Sequence, residues 1–292
     1  MEKRYLDIGR EVLAYLDEGS GEPVLLLHGN MSSSVHFEPL IERLRGGWRC
    51  IAPDLRGFGD STYRASFDSL DELAEDVSLF LERLGLPSVF VAGWSTGGGI
   101  GLKLAAICPD KVRKLFCIEG AGHRGYPIFE KDAAMQNTGR PYESKLRMAE
   151  DPLQVAPMLG IFEAGNAAAM TAIWDATIYP TKKPTPEQSV RWIAETLKQR
   201  NLIDVDWALA TLNMSEEPGS YGPGDGSIRK VACPVSLTTG QLDLVVPEAM
   251  VLDNYRALGG DATLLRYEDC GHSPLVDCPD RLCADMEEFF SA

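Results

Sequence analysis

The sequence lacks the positive charge and the long apolar runs that mark nucleic-acid-binding and membrane-spanning proteins. Its 292 residues carry 28 Lys and Arg against 43 Asp and Glu, which gives a formal net charge of −15. Such a surface repels phosphate backbones and anionic lipids, so we expect neither nucleic acid nor membrane partners. No apolar run reaches the roughly 20 residues that cross a bilayer as a helix.

Patterns for disulfides, metals and nucleotide cofactors are also missing. The seven cysteines are an odd number, are scattered, and form no Cys-x-x-Cys pair. Cys270 and His272 alone give too few ligands for zinc. The residues after Met1 do not form an apolar signal segment, and no complete Gly-x-Gly-x-x-Gly segment follows a predicted strand. We therefore predict a cytoplasmic protein with reduced thiols, no metal and no cofactor.

Apolar strand-like runs alternate with amphipathic helix patterns over residues 1–121 and again over 229–292. Runs that are apolar throughout, such as 24–27 and 112–118, are typical of strands covered on both faces. Right-handed crossovers between parallel strands bring their carboxyl ends to one edge of the sheet. We predict an α/β core with a mostly parallel sheet, helices on both faces, and functional side chains along that edge.

Helix patterns dominate the segment 122–228, which we predict to be a helical cap inserted into this core. The clearest helix pattern of the whole chain lies in the core, from about 70 to 84, where apolar residues recur on one face. Ser69 and Glu72 form a capping-box signature at its start. In the cap, we expect Trp174 to contact substrate, although packing of the cap onto the core would explain this residue equally well.

Residues 93–97, Gly-Trp-Ser-Thr-Gly, stand between an apolar strand-like run and a helix pattern. Strand, sharp turn and helix with a serine at the apex is the context of a nucleophile elbow. Side chains at 93 and 97 would collide with neighbouring backbone in such a turn. The helix start also leaves free N–H groups and a positive dipole end beside the serine. We predict Ser95 as a catalytic nucleophile.

A serine hydroxyl needs a base within hydrogen-bond reach, and the chain has four histidines. We expect His28, in a His-Gly turn after a strand, to brace a loop, and His36 precedes a helix. His123 lies in a turn at the start of the cap and is a secondary candidate. His272 follows the last predicted strand, on the same sheet edge as Ser95, and is the predicted base.

The base in turn needs an acid that orients it and stabilises its cation. Asp243 and Glu119 each follow a predicted strand on the same edge. We favour Asp243 because the chain order Ser, Asp, His is that of hydrolases with a nucleophile elbow, and Glu119 remains the alternative.

Acyl transfer also requires donors for the developing oxyanion. We predict the backbone N–H groups of Thr96, at the elbow, and of Asn30, in the loop after the strand at 24–27. We also expect the side chains of Asn30 and Met31 to contact substrate.

These motifs resemble those of the α/β-hydrolase superfamily with a cap. The resemblance implies an α/β-hydrolase fold in which Ser95 is the nucleophile, Asp243 the acid and His272 the base, with Asn30 and Thr96 as oxyanion donors. Met31 stands where many relatives have proline. The matching segments are 28–30 (His-Gly-Asn), 54–61 (Asp-Leu-Arg-Gly-Phe-Gly-Asp-Ser), 93–98, 240–243 (Gly-Gln-Leu-Asp) and 271–274 (Gly-His-Ser-Pro).

Two finer comparisons bear on chemistry. Epoxide hydrolases and haloalkane dehalogenases share the cap and the His-Gly-Asn motif but have aspartate at the position of Ser95, which argues against both activities. Segments 27–34, 125–129 and 199–206 resemble intracellular short-chain polyhydroxyalkanoate depolymerases of bacilli. That resemblance implies a substrate that is a short hydroxyacid ester or oligomer.

Three hypotheses for function follow from these residues. The leading one is a serine hydrolase that cleaves carboxylic esters of a small-molecule substrate through an acyl-enzyme. The second is a lactonase, including one for macrocyclic lactones, or a carbon–carbon bond hydrolase with the same triad. The third is a hydrolase-fold protein that binds a small ligand with little turnover. The oligomeric state is unknown at this level.

Overall fold

The computed structural model describes residues 1–260 and 262–292. Ten strands lie in these residues, eight of them in one central sheet. They are β1 (Arg4–Asp7), β2 (Val12–Gly19), β3 (Glu22–Leu27), β4 (Trp48–Pro53), β5 (Val89–Trp94), β6 (Val112–Ile118), β7 (Phe129–Lys131), β8 (Asn137–Pro141), β9 (Val235–Gly240) and β10 (Ala262–Tyr267).

Eleven α-helices occupy the same described ranges, and none of them is long and apolar enough to cross a membrane. They are α1 (Glu38–Leu44), α2 (Leu70–Arg83), α3 (Thr96–Ile107), α4 (Lys145–Met148), α5 (Ala156–Glu163), α6 (Ala167–Thr177), α7 (Pro186–Thr196), α8 (Leu202–Thr211), α9 (Glu248–Leu258), α10 (Pro274–Asp277) and α11 (Pro279–Ser291).

The central sheet has the strand order β1-β2-β4-β3-β5-β6-β9-β10. Strand β2 is antiparallel to both β1 and β4, and the other neighbouring strands are parallel. Successive residues of β5 point to opposite faces, so Val91 packs with α2 and α3 while Phe90 packs with α1 and α11. This confirms the predicted α/β class with a mostly parallel sheet covered on both faces.

The segment 122–228 holds helices α4 to α8, and also a hairpin of β7 and β8 that the sequence did not predict. The hairpin is short and none of its residues is fully buried, so it needs no alternation of apolar and polar residues. The apolar run 207–212 (Trp-Ala-Leu-Ala-Thr-Leu) predicts a helix there, whereas helix α8 begins five residues earlier, at Leu202. Residues 122–228 remain our proposed cap.

The capping box predicted for α2 does not form. The Ser69 side chain makes no capping hydrogen bond, although Ser69 does precede the first helical residue. The Glu72 carboxylate instead accepts a hydrogen bond from the Asp68 N–H at 2.7 Å. The carboxylate thus satisfies an N–H one residue earlier than a capping box requires.

Candidate active site

Ser95 lies at the sharp turn between β5 and α3. Its backbone has φ 55° and ψ −121°, a conformation that residues other than glycine rarely adopt. A Cβ on Gly93 would lie 2.2 Å from the Gly97 carbonyl oxygen, and a Cβ on Gly97 would lie 2.0 Å from that of Leu27. The turn therefore tolerates only glycine on either side of Trp94, Ser95 and Thr96.

His272 and Asp243 form a buried pair beyond the ends of β10 and β9. The His272 Nδ1 atom lies 2.8 Å from Asp243 Oδ2, and the two side chains are 2% and 1% exposed. The other carboxylate oxygen, Oδ1, accepts the backbone N–H groups of Val245 at 2.7 Å and Val246 at 2.9 Å. A carboxylate held at both oxygens keeps the Nδ1–H tautomer of His272 and leaves Nε2 as the basic ring nitrogen.

A second contact positions the loop that carries His272. The Trp94 indole Nε1–H donates to the His272 carbonyl oxygen at 2.8 Å. Because Trp94 precedes Ser95 in the same turn, this hydrogen bond ties the histidine loop directly to the serine turn. Neither the Ser95 hydroxyl nor His272 Nε2 is hydrogen-bonded to another group in residues 1–260 and 262–292. An open pair of this kind is common before substrate binds.

Ser95 and His272 face one cavity of about 200 Å³ between the sheet edge and the segment 122–228. Asn30, Met31 and Trp174, all predicted to contact substrate, also line it. In the described part of the chain, the backbone N–H groups of Asn30 and Thr96 donate to no protein group. The further apolar lining comes from Trp94, Ala121, Tyr126, Ile128, Met158, Ile178, Leu202, Leu209, Val245 and Val246.

Asp206 is a cavity residue that sequence reasoning missed. It projects from α8 between Leu202 and Leu209, and its Oδ1 accepts a hydrogen bond from Asn30 Nδ2 at 3.0 Å. Burial raises the pKa of Asp206 to about 7, against the opposing effect of the hydrogen bond from Asn30. The detectable signal was a carboxylate on the apolar face of a helix, but the predicted helix began one residue after it.

Glu119, the alternative acid, does not contact His272. Its Oε2 accepts the Gly240 N–H at 2.7 Å, and its Oε1 lies 3.1 Å from the Thr238 hydroxyl. Burial, with the nearby Asp243 charge, raises the pKa of Glu119 to about 8. The neutral acid can donate to Thr238 while it accepts from Gly240, so Glu119 is a buried structural group beside the pair of Asp243 and His272.

We expect Glu119→Gln to retain activity and to change the pH dependence of stability. The folded-state pKa of Glu119 is raised, so between about pH 4.5 and about pH 8 the unfolded chain releases this proton while the folded protein keeps it, and stability falls as pH rises. Glutamine cannot ionise and can make the same two hydrogen bonds. The free energy of unfolding of the variant, relative to wild type, should increase by on the order of 3 kcal/mol between about pH 5 and about pH 8.

Urea denaturation of both proteins across this pH range measures the effect. Parallel stability curves for the two proteins would contradict the buried neutral acid, and a loss of activity on the scale of a triad mutation would return Glu119 to the catalytic acid position.

The remaining histidines make structural contacts. His28 Nε2 accepts the Leu55 N–H at 3.0 Å and its Nδ1 bonds the Gly29 carbonyl at 2.8 Å, and burial lowers the pKa of His28 to about 4. His36 stacks on Trp174 with ring centroids 5.2 Å apart. The His123 Nδ1 atom lies 2.9 Å from Asn254 Oδ1, and His123 is outside the lining of the Ser95 cavity.

Among residues 1–260 and 262–292, one carboxylate cluster has the spacing of a metal site, formed by Asp54, Asp60 and Glu195. The Lys3 ammonium lies 2.8, 2.8 and 2.7 Å from these three groups. Burial opposes the charge of Lys3, but the carboxylates outweigh it and hold the pKa of Lys3 above its ordinary value. The ammonium thus occupies the position where a cation would bind.

Comparison with known proteins gives a consistent family but varied reactions. Residues 22–279 match the family model described as the alpha/beta hydrolase fold. The chain is 27% identical over 290 residues to Lipase 1 of Psychrobacter immobilis. This alignment covers 96% of this chain and 80% of the lipase. It is 39% identical to haloalkane dehalogenase 2 of Mycobacterium tuberculosis over an alignment of 113 residues, which covers 38% of this chain.

The dehalogenase match spans only 40% of that protein's length. Among solved structures, a thermophilic esterase from Thermogutta terrifontis superimposes with a TM-score of 0.70 at 20% identity, covering 100% of this chain and 98% of the esterase. At this level of identity the superposition shows a shared fold alone.

Proposed function

Because this chain belongs to the alpha/beta hydrolase fold family, we propose that it is a serine hydrolase that cleaves carboxylic esters. The observation that carries the proposal is that His272 faces the same cavity as the strained Ser95 turn and is paired behind it with Asp243 at 2.8 Å. Nucleophile, base and orienting acid are the three groups that acyl transfer from a serine requires.

In the proposed reaction, Ser95 Oγ attacks the ester carbonyl carbon while His272 Nε2 takes the hydroxyl proton. The N–H groups of Asn30 and Thr96 donate to the oxyanion that forms. Collapse of this intermediate breaks the acyl–oxygen bond, and the histidine returns its proton to the departing alkoxide. A water molecule then gives a proton to the same histidine and attacks the acyl carbon. The bond from that carbon to Ser95 Oγ breaks, the histidine returns the proton to Oγ, and the acid is released.

The proposed substrates are short acyl esters, in particular hydroxyacid esters or their soluble oligomers. A cavity of about 200 Å³ is small beside the roughly 300–1,000 Å³ pockets of drug-sized ligands. Its lining includes no Lys or Arg in the described residues, and burying an unpaired substrate carboxylate there is costly. The hydroxyacid assignment rests on the depolymerase-like segments, 199–206 among them.

We expect kcat/KM to be highest for acyl chains of about butyrate length and to fall by at least about 10-fold for palmitate esters, since a missing or excess methylene in an apolar pocket changes rates severalfold. p-Nitrophenyl esters of graded length give the series, with a hydroxybutyrate oligomer, a macrocyclic lactone and a chloroalkane assayed alongside. Preparations of Ser95→Ala supply the background rate.

A clear preference for palmitate would contradict the small-pocket argument. Rapid opening of the lactone without ester cleavage would favour the lactonase hypothesis, and halide release from the chloroalkane would overturn the proposed acyl transfer.

A further inference from the structure

The cavity that holds Ser95 contains one acidic side chain that the proposed reaction does not use. Asp206 is the only carboxylic acid among the described residues of the lining, which also lacks Lys and Arg. Its Oδ1 accepts from Asn30 Nδ2, and Oδ2 has no hydrogen-bond partner in the described part of the protein. An acceptor oxygen in mainly apolar surroundings is unfavourable unless a ligand supplies a donor.

A chain of buried amides sets the orientation of the Asp206 carboxylate. Asn201 Nδ2 donates to the Arg56 carbonyl at 2.5 Å, which leaves Asn201 Oδ1 to accept from Gln199 Nε2 at 2.9 Å. The same Gln199 nitrogen donates to Asn30 Oδ1 at 2.8 Å. Asn30 must then present Nδ2 to Asp206, because its oxygen already accepts from Gln199 and from the Met31 N–H.

This network determines which way hydrogen bonds run at the cavity wall. The Arg56 carbonyl can only accept, so Asn201 must turn its nitrogen to it and its oxygen to Gln199. Gln199 then donates to the Asn30 oxygen, and Asn30 donates to Asp206. Asp206 Oδ1 is therefore committed to Asn30, and Oδ2 is left as an acceptor for the cavity. Asp206 lines the same cavity as Ser95, and it is hydrogen-bonded to Asn30, the residue whose backbone N–H we propose as an oxyanion donor.

We propose that Asp206 is a specificity-determining residue whose free carboxylate oxygen accepts a hydrogen bond from a hydroxyl group on the acyl chain of the substrate. The inference rests on the proposed ester hydrolysis and names what distinguishes the preferred substrate, a hydroxyacyl group in place of a plain acyl group. A hydroxyl has one proton to donate and matches one open acceptor, whereas an ammonium group has three donors and would leave two of them facing apolar walls.

The direct test compares methyl 3-hydroxybutyrate, methyl butyrate and methyl 3-oxobutyrate. At C3 these esters carry a hydroxyl that can donate, only hydrogens, or a carbonyl oxygen that can only accept. Assays at about pH 8.5 keep the carboxylate mostly ionised. Wild type should favour the hydroxy ester over butyrate by at least about 10-fold in kcat/KM and should disfavour the oxo ester, because a hydrogen-bonding site rejects ligands that leave it unpaired.

Two substitutions at the same position separate hydrogen bonding from shape. Asp206→Leu should remove the preference for the hydroxy ester, read as the ratio of its kcat/KM to that of methyl butyrate, because leucine offers no acceptor. Asp206→Asn should turn its amide NH₂ toward the cavity, since Asn30 still requires an acceptor. It should remove the discrimination against the oxo ester, because the NH₂ can donate to a carbonyl or to a hydroxyl oxygen. The exposed cap acid Glu163 provides a matched control, and Glu163→Gln should leave all three ratios unchanged.

A binding measurement keeps the test independent of turnover. Calorimetric titration of Ser95→Ala with methyl 3-hydroxybutyrate should give a Kd at least about 10-fold lower than for the double variant with Asp206→Leu. Equal Kd values, an unchanged hydroxy-to-butyrate ratio in Asp206→Leu, or a stronger preference for a 3-ammonium ester would each overturn the assignment. Absence of ester cleavage in wild type, with the Kd difference intact, would instead reject the proposed hydrolysis alone.

Discussion

Replacing Ser95 with alanine should lower kcat for a short acyl ester by at least about 10³-fold, the scale seen when a member of a catalytic triad is removed. Alanine removes the only atom that can attack the acyl carbon. It keeps the Cβ that already occupies the backbone conformation at φ 55°, so the substitution adds no new backbone strain. Steady-state assays beside thermal melting measure the two effects.

Covalent labelling supplies the control for this variant. A sulfonyl fluoride should modify wild type at Ser95, read by mass spectrometry of the peptide, and should leave Ser95→Ala unmodified. Undiminished activity in the variant would end the acyl-enzyme proposal, and so would inhibition by EDTA that zinc reverses, since that would indicate a metal-dependent route.

Substituting Asp243 with asparagine should reduce kcat by about 10⁴-fold while substrate binding changes little. The Val245 and Val246 N–H groups require an acceptor at Oδ1, so the asparagine oxygen must stay there and its NH₂ must face His272 Nδ1. Nδ1 would then have to accept a hydrogen bond, which places the ring proton on Nε2, the nitrogen that must act as base. The expected signature is a fall in kcat with KM nearly unchanged.

Glu119→Gln is the matched control for this experiment, since both substitutions exchange a buried carboxylic acid for its amide beside the same strand edge. A larger loss of kcat for Glu119→Gln than for Asp243→Asn would mean that the acid paired with the catalytic histidine is Glu119, after β6, and not Asp243, after β9. Glu119→Gln should also change the pH dependence of stability, because it removes a group whose pKa is raised by burial.

Much of the core was readable from local pattern. The apolar runs that became β3, β5 and β6 and the helix pattern that became α2 are set by short-range periodicity, which a single sequence displays directly. The serine turn is also predictable from the sequence. A side chain at 93 would clash with the Gly97 backbone, and one at 97 would clash with the backbone of Leu27 in the neighbouring strand. Parallel topology then brings Ser95, Asp243 and His272 to one edge, where Ser95 and His272 line one cavity and Asp243 is hydrogen-bonded to His272.

Which acid pairs with His272, and which side chains line the cavity, depend on contacts between distant parts of the chain that no local sequence pattern shows. Asp243 and Glu119 both follow strands, and only the three-dimensional arrangement shows that one meets His272 while the other meets Thr238 and Gly240. The hairpin of β7 and β8 escaped prediction because exposed strands carry no apolar alternation.

The alternation of strands and helices and the glycine-bounded serine turn are predictable from the sequence, because each is encoded in residues near one another along the chain. Only the folded chain shows that Asp206, 176 residues from Asn30, lines the same cavity and is hydrogen-bonded to a network of buried amides. Hydrogen-bond direction at that wall is set by a backbone carbonyl at Arg56, and such long-range polarity arises only when the folded chain brings these groups together.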